Sequence, residues 1–262
     1  MRTCLGQNFL IDKDIAQKIT DVCQATAGIT AIEIGPGKGI LTEELAKCYN
    51  KVIAVELDKK LHAGLLKRFS GNKNIEIVNA DFLKWSIPGT GNKYRFIANI
   101  PFYITSPIID KILNFDCWDI AVFMVQREVA RRIAAEEKSK NWGVLSISCR
   151  IVSEVKIMFD VPPRCFCPVP DVTSSVIRFK RLATPLVKRA DREMFINIVK
   201  SSFSHRRKTI ENSLSLSLGL EKNTINTLLL KSGIQPKTRP ENVSINEFYL
   251  LSGNLEILKN QK

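Results

Sequence analysis

The sequence predicts an α/β chain: a mostly parallel, doubly wound sheet followed by a smaller, all-helical C-terminal domain. Three observations carry this. Short apolar runs of strand length alternate with helical stretches over residues 30–135, the pattern of a parallel sheet covered by helices on both faces. A glycine cluster, Gly35-Pro36-Gly37-Lys38-Gly39, follows the first of these runs and opens a helix, which lets a ligand approach the backbone closely. Around residues 181–190 the strand pattern ends and the later apolar spacing is helical. The boundary is therefore set between a ligand-binding domain, 1–183, and a helical domain, 184–262.

In chain order, Ile15, Ala16, Ile19, Val22 and Cys23 form a helical stripe over residues 12–26, with Asp12 or Asp14 as its cap. Gly6-Gln7-Asn8-Phe9-Leu10 before it has no periodicity and reads as a tail. Ala31-Ile32-Glu33-Ile34 is the first strand of the sheet and runs into the glycines. Their spacing is G-x-G-x-G and Ile40 follows, which argues against the G-x-G-x-x-G fingerprint of a nicotinamide or flavin site. The next strand, Lys51–Val55, ends in Glu56-Leu57-Asp58. An acid there, roughly 20 residues past the glycines, is placed to accept from ribose hydroxyls, and Glu33, Glu56 and Asp58 together strengthen that reading. The strand Ile75–Asn79 ends in Ala80-Asp81-Phe82, an Asp–aromatic pair that suits either the amino group and face of an adenine ring or a helix cap and a core Phe. Tyr94–Ala98 is the fourth strand and Asp119–Val125 the fifth. Gly35, Glu56, Asp81 and Asn99 thus all fall at C-terminal strand ends, where open α/β sheets bind ligands.

The fourth strand ends in Asn99-Ile100-Pro101-Phe102. Asn offers an amide oxygen, Pro fixes the exit direction and leaves the preceding carbonyl free to accept, and Phe supplies a flat face. Two acceptors and a ring suit a planar group with an exocyclic NH2, such as adenine. Holding both amine hydrogens would direct the nitrogen lone pair outward. Further on, 126–133 reads as an amphipathic helix with a basic face, and Glu154–Phe159 and Ser175–Phe179 as two more strands. The Pro-rich loop 162–170 between them presents Phe166, either as a second stacking face or as a core residue. In the helical region, Phe195, Ile198 and Val199 form one stripe and Ile210, Leu214 and Leu218 another. Between them lies Phe203-Ser204-His205-Arg206-Arg207-Lys208-Thr209, a phosphate-contacting patch in which His205 accompanies the bases rather than acting as one.

Net charge is +13, and more than half of that excess lies in the last third of the chain. The balance favours a polyanionic partner, nucleic acid before membrane. No run approaches the ~20 apolar residues of a membrane span, and no leader segment is expected. The seven cysteines are an odd number without a metal-type repeat, so they read as reduced thiols of a cytoplasmic protein, with no metal site.

These motifs, in this order and over nearly the whole chain, resemble the KsgA family of ribosomal RNA adenine dimethyltransferases, Rossmann-like class I methyltransferases. The residues that carry the resemblance are Gly6–Leu10, Glu33–Gly37, Glu56, Ala80–Phe82, Asn99–Phe102, Phe166–Pro170 and Phe203–Thr209. It implies S-adenosylmethionine as donor, with Asn8, Leu10, Gly35, Gly37, Glu56, Asp81 and Asn99 as cofactor contacts. It also implies that Asn99 and Pro101 orient the target amine, that Phe102 and Phe166 sandwich the base, and that Arg206, Arg207 and Lys208 contact RNA. The expected substrate is a pair of adjacent adenosines in the 3′-terminal hairpin loop of small-subunit rRNA, within an immature ribosomal subunit, and the expected state is a monomer. The chain departs from the family's usual pattern at Tyr103, Asp171 and Thr173, positions that bear on base and RNA contact. The alternatives are the Erm family, which methylates a single adenosine of large-subunit rRNA, and a non-catalytic nucleic-acid-binding factor on the same fold.

Overall fold

The computed structural model describes residues 8–88, 93–101, 104–205 and 207–260. Gly6, Gln7, Phe102, Tyr103 and Arg206 lie outside the described residues. The described chain divides into two units: residues up to Ala130 with Glu154–Arg181, and Arg131–Ser153 with the chain from Leu182 onward. The sequence-based division at 183/184 assigns 131–153 to the first domain. Here those residues join the second unit, because the short helix Val144–Arg150 packs on the first long helix of the C-terminal region, Arg192–Phe203.

In the first unit, β1 (Phe9–Leu10) leads into α1 (Lys13–Val22), which is capped by Asp12 through a bond from Ile15 N of 3.1 Å. Then come β2 (Thr30–Ile34), α2 (Ile40–Cys48), β3 (Val52–Glu56), α3 (Lys59–Arg68), β4 (Ile75–Asn79), β5 (Tyr94–Asn99), α4 (Thr105–Leu113), β6 (Trp118–Gln126) and α5 (Arg127–Ile133). After α6 (Val144–Arg150) follow β7 (Ser153–Val161), β8 (Phe166–Cys167) and β9 (Ser174–Arg181). Seven strands form one sheet in the order β4-β3-β2-β5-β6-β9-β7. From β4 to β6 every pairing is parallel, and β9 runs antiparallel to β6. The second unit holds α6 together with α7 (Arg192–Phe203), α8 (Ile210–Leu218), α9 (Lys222–Lys231) and α10 (Ile245–Asn260). Among the described residues no helix is long and apolar enough to cross a membrane.

The central strands are apolar along most of their length because helices cover both faces; every residue of β3 is buried. Strand order reverses at β2, whose neighbours are β3 and β5, and such a switch point opens a crevice at the C-terminal strand ends. Register sharpens this. Ile34 pairs with Val55 on one side and with Ala98 on the other, so the next residues, Gly35, Glu56 and Asn99, leave the sheet at one level. At the opposite end of β5, Arg95 is 4% exposed. Its guanidinium donates to both carboxylate oxygens of Asp119 (3.0 and 2.9 Å), to Thr26 Oγ1 (3.1 Å), and to the carbonyls of Cys23 (2.9 Å) and Gln24. That fork ties the end of α1 to the sheet. Arg95→Ala is expected to lower stability by roughly 3–5 kcal/mol, the range for breaking a buried pair, measured as a reduced urea midpoint with an unchanged slope.

Candidate active site

A cavity of about 240 Å³ opens where β2, β3 and β5 end, lined by the glycine loop, Glu56, Asn99–Pro101, β1 and the loop around Phe166. Its floor is set by Glu56, which is 2% exposed. Oε2 accepts from Gly37 N (3.0 Å) and Oε1 from Asp58 N (2.9 Å). Each oxygen keeps acceptor capacity for a hydroxyl pair. Asp58, grouped with the site acids on sequence, is instead committed as the cap of α3, accepting from Lys60 N (2.7 Å) and Leu61 N (3.1 Å).

Glu33 also lines the cavity. It is 2% exposed, and its Oε2 has no hydrogen-bond partner among the described residues. Burial pushes its carboxyl up to about 8, and the negative charge of Glu56 adds to the shift. A ligand bringing a cation with N–H donors would satisfy that orphaned oxygen. Such an acid in the middle of a strand, between apolar neighbours, is the sequence signal that marks it as functional.

The glycine loop needs its glycines. Gly37 has φ +58°, and a Cβ there would stand 2.9 Å from the Phe9 ring. Gly39 caps α2 at φ +82°, and a Cβ would meet Phe69 at 2.7 Å and Leu65 at 2.8 Å. Phe9 therefore packs directly on the loop, with Lys38 Nζ 5.2 Å from its ring centroid. Of the segment for which a tail is the plain alternative, Phe9–Leu10 is a strand. Phe9 pairs with Cys167 and Leu10 with Phe166 in an antiparallel ladder, continued by Ile11 N to Cys165 O (2.9 Å).

This segment also orients Asn99. Its Nδ2 donates to the Asn8 carbonyl at 3.2 Å. A carbonyl only accepts, so the amide nitrogen must face Asn8, and Oδ1 is left to accept from something else. Leu10 and Phe166 line the cavity but are 6% and 2% exposed and belong to the core behind it, so Phe166 offers a ligand little of its surface in this conformation. Phe82, expected to cover a base, packs edge-on against Phe96 at 6.2 Å and is 6% exposed; it is a core residue. Asp81 is half-buried on the turn after β4, and its Oδ1 accepts from Leu83 N (2.9 Å). Ala80 N donates to Glu56 O (3.1 Å) and holds that turn to β3. The lining thus brings together Asn8, Leu10, Gly35, Gly37, Glu56, Asn99, Pro101 and Phe166. Asp81 stands outside it. Arg207 and Lys208 are exposed in the second unit. Phe102 and Arg206 lie outside the described residues. Sequence reasoning passed over Phe9, Lys38 and Ser174 as lining groups.

The raised Glu33 carboxyl predicts a pH dependence. Because its folded value exceeds the ordinary 4.5, its contribution to stability is complete below about pH 4.5 and is lost as pH rises toward 8. Urea midpoints of the ligand-free protein should fall between pH 5 and pH 8, and Glu33→Gln, neutral throughout, should flatten that fall and exceed the parent at pH 8. Gly37→Ala should weaken ligand binding by displacing Phe9, read by calorimetry, while leaving the far-UV spectrum unchanged.

The family model of ribosomal RNA adenine dimethylase matches residues 1–256. The protein named "Ribosomal RNA small subunit methyltransferase A" from Caldanaerobacter subterraneus subsp. tengcongensis is 38% identical over 259 residues, covering 97% of this chain and 96% of that one. Its namesake from Bacillus cytotoxicus is 39% identical over 263 residues, covering 96% and 90%. Among solved structures, the 23S rRNA methyltransferase ErmE superposes with a TM-score of 0.74 at 30% identity, covering 95% of this chain and 100% of that one. A dimethyladenosine transferase from Plasmodium falciparum superposes at 0.82, covering 97% and 98%, and at 24% identity it speaks to the fold alone.

Proposed function

The chain belongs to the ribosomal RNA adenine dimethylase family, and from that premise we propose that it dimethylates N6 of two adjacent adenosines in the 3′-terminal hairpin loop of small-subunit rRNA, with S-adenosylmethionine as donor. One observation carries the reading: a glycine loop, a ribose-competent acid and an amide oxygen leave three adjacent strands at one level around a single cavity. The fit to the donor rests on the orphaned Glu33 oxygen, the two remaining acceptor sites of Glu56 and the open backbone at Gly35, where an added Cβ would meet nothing within 4 Å. When bound, the donor supplies a methyl group on a positively charged sulfur.

The protein's own work is positioning. The adenosine must leave its stack to reach the cavity. Asn99 Oδ1 and the carbonyl of Ile100, freed from strand pairing by Pro101, accept the two amine hydrogens, so the nitrogen turns tetrahedral and its lone pair points away from both acceptors. Conjugation with the ring, which makes the amine a poor nucleophile, is thereby weakened. The family resemblance gives Phe102 as one stacking face; Phe166, 2% exposed here, would have to turn out of the core to serve as the other. No base is needed before attack, since the proton leaves after the new N–C bond forms, and alignment carries most of the rate. Repeating the cycle on the monomethylated amine needs a single hydrogen for Asn99 or Ile100, so the second transfer at each adenosine uses the same acceptors.

The basic exposed pair Arg207 and Lys208 supplies phosphate contacts. The substrate is the immature small subunit, met by a monomer in the cytoplasm. The small-subunit assignment rests on the names of the curated relatives, and the structural likeness to a 23S enzyme keeps large-subunit RNA as the alternative outcome of the test.

Small subunits from a strain lacking this modification, incubated with tritiated S-adenosylmethionine and mapped by nuclease digestion and mass spectrometry, should carry two adjacent N6,N6-dimethyladenosines. Label in naked large-subunit RNA instead would transfer the protein to the Erm reaction. Asn99→Ala should reduce transfer by roughly 100-fold or more and leave RNA binding unchanged; full activity in that variant would overturn the mechanism.

A further inference from the structure

The turn after β4 is held by a residue outside the cavity. Asp81 begins a single helical turn: Lys84 N and Trp85 N donate to the Asp81 carbonyl at 2.9 and 2.8 Å. A turn that short ends in carbonyls with no helical partner. Three of them, from Phe82, Leu83 and Trp85, converge on Lys111 Nζ at 2.5, 3.1 and 2.5 Å. An ammonium has three donors, and here all three are spent on one turn. The same Nζ lies 5.0 Å from the Phe82 ring centroid. Burial lowers the Lys111 pKa and the nearby charge of Asp81 opposes that shift.

Lys111 sits in the last turn of α4. The other end of α4 hangs from the Asn99–Pro101 motif: Ile104 N and Thr105 Oγ1 both donate to Pro101 O, at 3.2 and 3.4 Å. One helix therefore spans the strand end that presents Asn99 and the turn that presents Asp81. We propose that Lys111 is a positioning residue that sets the Asp81 turn for recognition of the cofactor's adenine, bracing it against the helix that follows the target-base motif. The proposal rests on the methyltransferase reading above. Lys111 touches neither donor nor target; it acts through Asp81, whose side chain makes no hydrogen bond among the described residues besides the one from Leu83 N.

The test compares the full-length protein with Lys111→Met, which keeps the length and apolar body of the side chain and removes its donors. S-adenosylmethionine and S-adenosylhomocysteine binding are measured by calorimetry without RNA. Acrylamide quenching of tryptophan fluorescence reads the turn itself, because Trp118 and Trp142 are 2% and 3% exposed whereas Trp85 is half-buried. In Lys111→Met the Kd for either ligand should rise about tenfold, the scale of one hydrogen bond to a charged group. KM for the cofactor should rise with it while kcat at saturation stays within about twofold, and quenching should increase. A folded Lys111→Met protein with unchanged Kd and unchanged quenching overturns the proposal, even if its Tm is lower. Should that variant fail to fold, Lys111→Gln is read by the same two measurements and the same criteria. If the parent protein binds neither ligand, the methyltransferase reading falls and this inference with it; if the parent binds and Lys111→Met binds equally, this inference alone falls.

Discussion

Both oxygens of Glu56 accept backbone N–H groups, one from the glycine loop and one from the start of α3, and the rest of the site depends on that carboxylate. The bond to Gly37 N draws the loop over the end of β3, and Asn79 Nδ2 donates to the Glu56 carbonyl at 2.8 Å from the next strand. Three consecutive strand ends are thereby joined around one residue, two through its side chain and the third through its carbonyl. A carboxylate only 2% exposed is costly unless its lone pairs are met, and meeting them with backbone donors leaves it fixed and still able to accept. Its placement follows from register: β2, β3 and β5 end at one level because Ile34 is flanked by Val55 and Ala98.

The cavity has a second support that does not come from the sheet. β1 and β8 are only two residues each, too short for stability alone, yet they join four parts of the site. Phe9 packs on Gly37, the Asn8 carbonyl fixes the Asn99 amide, Leu10 pairs with Phe166, and Asp12 both caps α1 and accepts from Cys165 Sγ at 3.2 Å. The glycine-loop wall of the cavity and the Phe166 loop are therefore linked through β1. A change at either side reaches Asn99 through one carbonyl.

The main sheet was legible because its strands are continuous apolar runs closed by Gly, Asp or Asn, and the site residues at those ends follow from the same pattern. β1 was not legible. Alternation cannot show in two residues, and its partner lies more than 150 residues away in sequence. Phe82 and Phe166 show a different limit. An aromatic next to a strand end reads alike whether its ring faces ligand or core, and only packing against Phe96 or Leu10 decides. Asp58 and Glu56 pose the same problem for acids, two residues apart: one caps a helix and the other serves the cavity. Lys111 was invisible because its role consists of three carbonyls, which every sequence has.

Charge within the cavity follows from these placements. Glu33 and Glu56 are both buried at the strand ends, and their mutual repulsion is one cause of the raised Glu33 carboxyl. Glu56 has two backbone donors; Glu33 has an oxygen with none among the described residues. Burial therefore favours a proton on Glu33, and a cationic ligand with N–H groups would displace it by supplying both the charge and the donor. S-adenosylmethionine carries a positive sulfur and an ammonium, whereas its demethylated product keeps only the ammonium. Any contribution of this acid pair to distinguishing donor from product must then come from the sulfur's charge, which a low-dielectric pocket weights more heavily than water does.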